Sequence, residues 1–117
     1  MADAIHLSEK LARFQDFWAP RAVAQFNGND VLVVKVSGEF VWHTHPETDE
    51  LFLVLRGALT IRLRDREVQL TEGDLFIVPR GVEHQPVATG EAHLLLIEPA
   101  GTPNTGDAAT AAPRREI

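Results

Sequence analysis

The sequence predicts an all-β fold, a sandwich or a closed barrel, preceded by one short helix. Three observations carry this. From Ala22 to Pro99, short runs rich in Val, Ile, Leu and Phe alternate with breaks of Gly, Asp, Asn or Pro, the spacing of successive strands. Leu59, Ile61 and Leu63 alternate with Thr60, Arg62 and Arg64, as in a strand with one buried and one wet face. Ahead of these, Leu7, Leu11, Phe14 and Trp18 fall at steps of four, three and four, one apolar helical stripe.

In chain order, residues 7–18 (LSEKLARFQDFW) read as the helix, with Ser8 as N-cap and Pro20 as the stop. Strands are expected at 31–37, 40–45, 50–56, 58–64, 67–71, 74–79, 84–88 and 92–98. The break at Asp65-Arg66 lacks the Gly or Asn that a tight hairpin prefers. Residues 99–117 (PAGTPNTGDAATAAPRREI) hold no large apolar residue before Ile117. They read as an irregular tail that crosses the surface or is disordered. This predicts a helical arm (1–20), a β domain (21–99) and a tail (100–117) around a single core.

Bulk composition excludes several functions. The 117 residues carry a formal net charge of −6 and no long Lys/Arg run, so a nucleic-acid backbone is not an expected partner. No apolar run approaches a membrane span. The segment MADAIHLSEKLARF lacks the apolar stretch of a secretory signal. Cysteine is absent, which excludes disulfides and thiolate sites and fits a cytoplasmic setting. Tyrosine is absent too, so no phenol serves as acid, base or nucleophile.

The chemistry gathers in WHTHPETDE, residues 42–50. On a strand, His43 and His45 share one face with Val41, while Trp42 and Thr44 take the other. Two imidazoles so placed can hold one Fe, Mn, Zn, Ni or Cu ion. After the turn at 46–49, Glu50 opens the next strand and can swing back toward them. His84 follows Pro79-Arg80-Gly81 at the start of another apolar run. Three imidazoles and one carboxylate then make a mixed N/O site with positions left open. His6 and His93 have no neighbour at ligand spacing and read as structural. Glu47 and Asp49 read as solvent-facing turn residues or as supports for the ligands.

The spacing is specific. Gly38-EFVW-His43-Thr44-His45-PETD-Glu50-LFLVLR-Gly57 resembles the first motif of the cupin superfamily, G-x5-H-x-H-x3-4-E-x6-G, with four residues instead of five after Gly38. Gly73-DLFIV-Pro79-Arg80-Gly81-VE-His84-QPV-Ala88 resembles the second, G-x5-P-x-G-x2-H-x3-N, departing only at Ala88. The resemblance is to small single-domain cupins, distantly similar to the phosphomannose isomerase group. It implies a double-stranded β-helix, the cupin jelly-roll barrel. It implies one divalent transition metal ion held by His43, His45, Glu50 and His84, and a homodimer. The glycines at 57, 73 and 81 sit where strands turn sharply, which favours positive φ. The barrel interior is expected to hold Val41, Phe52, Val54, Phe76, Val78, Leu95 and Ile97 or their neighbours, since a one-residue slip exchanges them all.

Three functions follow. The first is a metal-dependent enzyme, dioxygenase- or isomerase-like, acting on a small organic molecule. Its general base is unknown, with Gln85, Glu83, Glu39 and Lys35 as candidates. The second is a non-catalytic binding or sensor module, favoured by an apolar pocket without a base. The third is a sugar-phosphate isomerase, which needs a cationic clamp, and Arg80 is the arginine beside a motif residue. Trp42 is either a dimer anchor or packs under the N-terminal helix beside Phe14 or Trp18.

Overall fold

The computed structural model describes residues 3–117. One helix, α1 (Leu7–Leu11), precedes β1 (Arg21–Phe26), β2 (Asn29–Glu39), β3 (Glu50–Arg56), β4 (Ala58–Leu63), β5 (Glu67–Thr71), β6 (Leu75–Val78), β7 (His84–Pro99) and β8 (Arg115–Glu116). The strands form the double-stranded β-helix.

Two long strands hold the barrel together. β7 pairs with β4 through residues 84–87 and with β3 through residues 93–97. β2 runs antiparallel to β7 along most of its length, with a register shift between Val36 and Gly38. One layer is therefore β6-β3-β7-β2-β1-β8, and the other is β5-β4 with the first half of β7. Leu32, Val34, Val36, Phe52, Val54, Leu59, Ile61, Leu94 and Leu96 fill the space between them. Full burial of such a side chain contributes about 1.5–3 kcal/mol.

The expected interior is half correct. Phe52, Val54 and Val78 point inward, and Phe76 packs partly buried against the same core. On β7 the inward residues are Leu94 and Leu96, and Leu95 and Ile97 face out, the one-residue slip that an apolar run on both faces permits. Val41 is 51% exposed, because residues 40–45 form no strand. Only His43 bridges to His84 there. Segments 84–88 and 92–98 are one strand, bent at Gly90 (φ +82°). β1 lies where no strand was expected.

The helix is shorter than its stripe. Leu11 and Phe14 do pack on Val33, on the outer face of β2. The chain then leaves the helix to bring Trp18 to the barrel mouth, where its amide donates to Lys35 O (2.8 Å) and its indole to Ser37 O (2.9 Å). A five-residue helix has little stability of its own, so these tertiary bonds decide its length. The N-cap position is His6, not Ser8, and no side chain caps it.

The tail is ordered. It crosses the surface and ends as β8, parallel to β1. Arg114 turns inward to Asp30 (3.0 Å) and Glu98 (2.7 Å).

Gly57, between β3 and β4, has φ +83°, and a Cβ there would meet Glu91 O at 2.8 Å. Conformation and space both require glycine.

Candidate metal centre

One loop and two strand starts bring four side chains together. His43 and His84 exchange backbone hydrogen bonds (3.0 and 2.9 Å), which sets their rings 4.3 Å apart. The His45 carbonyl accepts from the Gly81 amide at 2.9 Å, so the turn before His84 is tied to the second histidine. Glu50 opens β3 opposite Val78 and faces inward. One ligand atom from each of His43, His45, Glu50 and His84 lies within 4.8 Å of the others, so the cluster can hold a metal ion. All four are at most 9% exposed.

The hydrogen bonds orient the rings. His43 Nδ1 donates to Val41 O at 2.9 Å and His84 Nδ1 to Val82 O at 3.0 Å. In the neutral rings this leaves each Nε2 with a lone pair aimed inward. His84 Nε2 then stands 3.0 Å from Glu50 Oε1, and His45 Nε2 3.4 Å from the same oxygen. His45 Nε2 is buried without a hydrogen-bond partner. Lone pairs converging on one carboxylate oxygen call for a cation between them. The donor set of imidazole and carboxylate suits Fe, Mn, Zn, Ni or Cu.

Burial lowers the His43 pKa to about 4, with the Val41 carbonyl working against it, so the ring is neutral at neutral pH. For Glu50, burial opposes ionisation, but the His45 and His84 rings beside it hold its carboxyl below the usual range.

Two residues near the site were not singled out from the sequence. Glu98 is 1% exposed, on the inward face of β7 with Leu94 and Leu96. Burial and the neighbouring Glu50 charge push its carboxyl pKa up, against the pull of Arg114. The alternation of β7 would have signalled Glu98 once its register was known. Nothing in the tail signalled Arg114.

A pocket of ≈ 340 Å³, measured out through its mouth, opens onto His43 and Glu50. Phe52, Val34, Val36 and Leu94 line its walls, and Trp18, Phe40 and Asn104 its mouth. Trp18 stacks on Phe40 at 4.6 Å, and Phe40 meets His43 edge-on at 5.4 Å.

None of the four candidate bases lines this pocket. Gln85 donates to Phe40 O and accepts from Arg62. Glu39 pairs with Arg62 and Glu83 with Arg64. Lys35 donates to Phe14 O on the outer face of β2. Arg80 is bound to Asp49 at the exposed rim and offers no phosphate clamp. Glu47 is exposed, and His93 pairs with Glu91. Trp42 lies under the Arg64 guanidinium (3.8 Å).

Comparison with known proteins agrees with this geometry. The Cupin domain family model matches residues 30–98. The chain belongs to the cupin family, as a small single-domain member. It is 43% identical to a cupin-2 domain containing protein from Shewanella frigidimarina NCIMB 400, whose crystal structure superposes with a TM-score of 0.80 over 81% of this chain and 93% of that one. It is 35% identical to YdbB of Bacillus subtilis (strain 168) over 86 residues, 73% of this chain and 70% of that protein. It is 32% identical to 3-hydroxyanthranilate 3,4-dioxygenase of Brucella anthropi over 85 residues, 64% of this chain but only 46% of that enzyme.

Proposed function

We propose that this cupin is a metal-dependent enzyme acting on a small, largely apolar organic molecule, with His43, His45, Glu50 and His84 as the ligands of one divalent transition metal ion. The observation that carries this reading is the apolar pocket opening directly onto His43 and Glu50. A bound ion supplies a Lewis-acid centre with coordination positions left for oxygen atoms of a small molecule. The protein's own part is to position and to exclude. Val41 and Val82 carbonyls hold the His43 and His84 rings, and Phe52, Val34 and Leu94 give the pocket apolar walls.

Dioxygenase-like chemistry fits better than isomerisation. An isomerase moves a proton between carbons and needs a base at the substrate, and the lining residues beyond His43 and Glu50 offer none. The similarity to 3-hydroxyanthranilate 3,4-dioxygenase supports the same direction. The missing base also favours the second reading, a non-catalytic small-molecule-binding or sensor cupin.

The decisive experiment loads metal-stripped protein anaerobically with Fe²⁺ and follows oxygen uptake with a panel of catechols and hydroquinones. Substrate-dependent uptake that disappears in His84→Ala supports the enzyme. Ligand binding without uptake, with any metal, turns the assignment to the binding module.

We also propose a cytoplasmic homodimer. No helix among the described residues is long and apolar enough to cross a membrane. On the outer face of β6, β3 and β7, Leu53 stands between Leu75 and Leu95, and Leu51 between Ile77 and Ile97. Leu75 and Ile77 are 53% and 47% exposed. Such a contiguous aliphatic face suits a second copy of the chain.

A further inference from the structure

Trp18 has an unusual backbone. Its φ is +60°, a left-handed conformation that a bulky side chain rarely adopts. Three hydrogen bonds hold it there. Its amide donates to Lys35 O and its indole to Ser37 O, both on β2. Its carbonyl accepts from Asn104 Nδ2 at 3.1 Å, and Asn104 belongs to the C-terminal segment.

That segment is built to keep Asn104 in place. Asn104 Oδ1 accepts from the Ala112 amide at 2.9 Å. Gly106 passes so close to the Thr44 carbonyl that no Cβ would fit, and Thr44 lies between His43 and His45. Farther on, Arg114 is anchored on Asp30 and Glu98, and the Ile117 amide donates to Ala22 O. The segment is thus a strap across the barrel mouth, fixed at its far end and touching the pocket through one side chain.

The pocket itself is nearly closed. Most of its volume lies in the open mouth, and the enclosed part has room for water-sized molecules only. An organic ring cannot reach His43 unless part of the Trp18–Phe40 stack moves. Phe40 is held at its backbone, where its amide donates to Pro86 O and its carbonyl accepts from Gln85. Trp18 is the strained partner, in the connection between α1 and β1.

We propose that Trp18 is the gate of the pocket and that the C-terminal strap latches it through Asn104, so that ligand entry and the size of ring admitted depend on this contact. The proposal rests on the reading of the pocket as the ligand site. Breaking the Asn104 bond frees the Trp18 carbonyl, lets φ relax, and swings the indole off Phe40.

The test uses the zinc-loaded 117-residue chain in a Trp42→Phe background, where Trp18 is the sole indole of a chain without tyrosine. Two signals are read, acrylamide quenching of Trp18 and the rate at which the coloured probe 4-nitrocatechol binds. Asn104→Ala is expected to raise both, the binding rate by about three- to tenfold, which is the open population that one neutral hydrogen bond controls. Trp18→Gly is expected to remove the left-handed strain and to admit naphthalene-2,3-diol, which the parent excludes. Unchanged quenching and rates in Asn104→Ala overturn the latch. Exclusion of naphthalene-2,3-diol by Trp18→Gly overturns the gate. Failure of 4-nitrocatechol to bind any variant, with quenching still raised in Asn104→Ala, overturns the ligand-site reading while leaving the latch in place.

Discussion

His84 presents Nε2 to Glu50 Oε1 at 3.0 Å while its Nδ1 faces the Val82 carbonyl at 3.0 Å. The ring cannot donate from both nitrogens while neutral. A divalent cation bound by His84 and Glu50 resolves this, and binding it only in the native state stabilises the fold. Metal at a hundredfold excess over its dissociation constant is expected to add about 2.7 kcal/mol. Calorimetric melting with and without Zn²⁺ or Mn²⁺ reads this. A parent whose melting is indifferent to every divalent ion tried, as His43→Ala/His84→Ala should be, would leave the cluster as a polar core only.

The pH dependence of the metal-free protein follows from His43, whose folded pKa is lowered to about 4. The unfolded chain takes up this proton near its ordinary pKa of about 6.5, and the native ring does not until about pH 4. Stability is therefore full above the unfolded value and is lost as pH falls through this window. The depressed Glu50 carboxyl acts in the same direction at still lower pH. Glu98, whose carboxyl burial pushes up to about 8, acts in the opposite direction over the same window. The His43 part is therefore the difference in urea stability between chelator-stripped parent and His43→Asn, which should shrink from about pH 7 to about pH 4, and identical slopes for the two proteins would refute the assignment.

Arg114 donates to two buried acidic side chains, Asp30 (5% exposed) and Glu98 (1% exposed). Arg114→Ala leaves the Asp30 carboxylate without its cation and Glu98, whose carboxyl is pushed up, without its donor, and is expected to cost about 3 kcal/mol. Equilibrium denaturation of metal-free protein measures this, and a loss below about 0.5 kcal/mol, the surface range, would show that the pairing is dispensable.

Gly57→Ala meets two obstacles at once, the φ of +83° and the Glu91 carbonyl 2.8 Å from the new Cβ. A destabilisation of about 2 kcal/mol is expected. Gly28→Ala serves as control, because its φ is similar (+79°) but the Cβ meets nothing. Thermal shifts of equal size would assign the whole effect to φ and none to the close approach.

The aliphatic face of β3, β6 and β7 gives a further prediction. Leu53→Glu or Ile77→Lys should convert a sedimenting dimer into a folded monomer, with metal content unchanged. A parent that sediments as a monomer at high protein concentration removes the dimer.

Much of the site was legible because its signals are local. His43 and His45 lie two apart, Glu50 follows one turn later, and His84 sits behind Pro79 and Gly81, so short-range spacing alone nominated the four. The route was partly mistaken. The histidines do not alternate on a strand, and the His43–His84 bridge brings the rings together. Arg80, Gln85, Glu83, Glu39 and Lys35 found other partners than a substrate, because charged side chains take the nearest counter-charge or carbonyl once the sheet is formed.

By itself the sequence determined the strand-rich barrel, the four residues that cluster at its mouth and the absence of cysteine and phenol chemistry. These depend on composition, on period-two alternation and on residues close along the chain. Tertiary structure alone decided the inward register of β7, which buries Glu98 beside Glu50, because both of its faces are apolar and either register looks equally good locally. It alone ended the helix at Leu11, carried Trp18 to the barrel mouth and seated Asn104 and Arg114 from the tail. Those contacts join residues up to 86 positions apart, and no local pattern encodes a hydrogen bond closed over that distance.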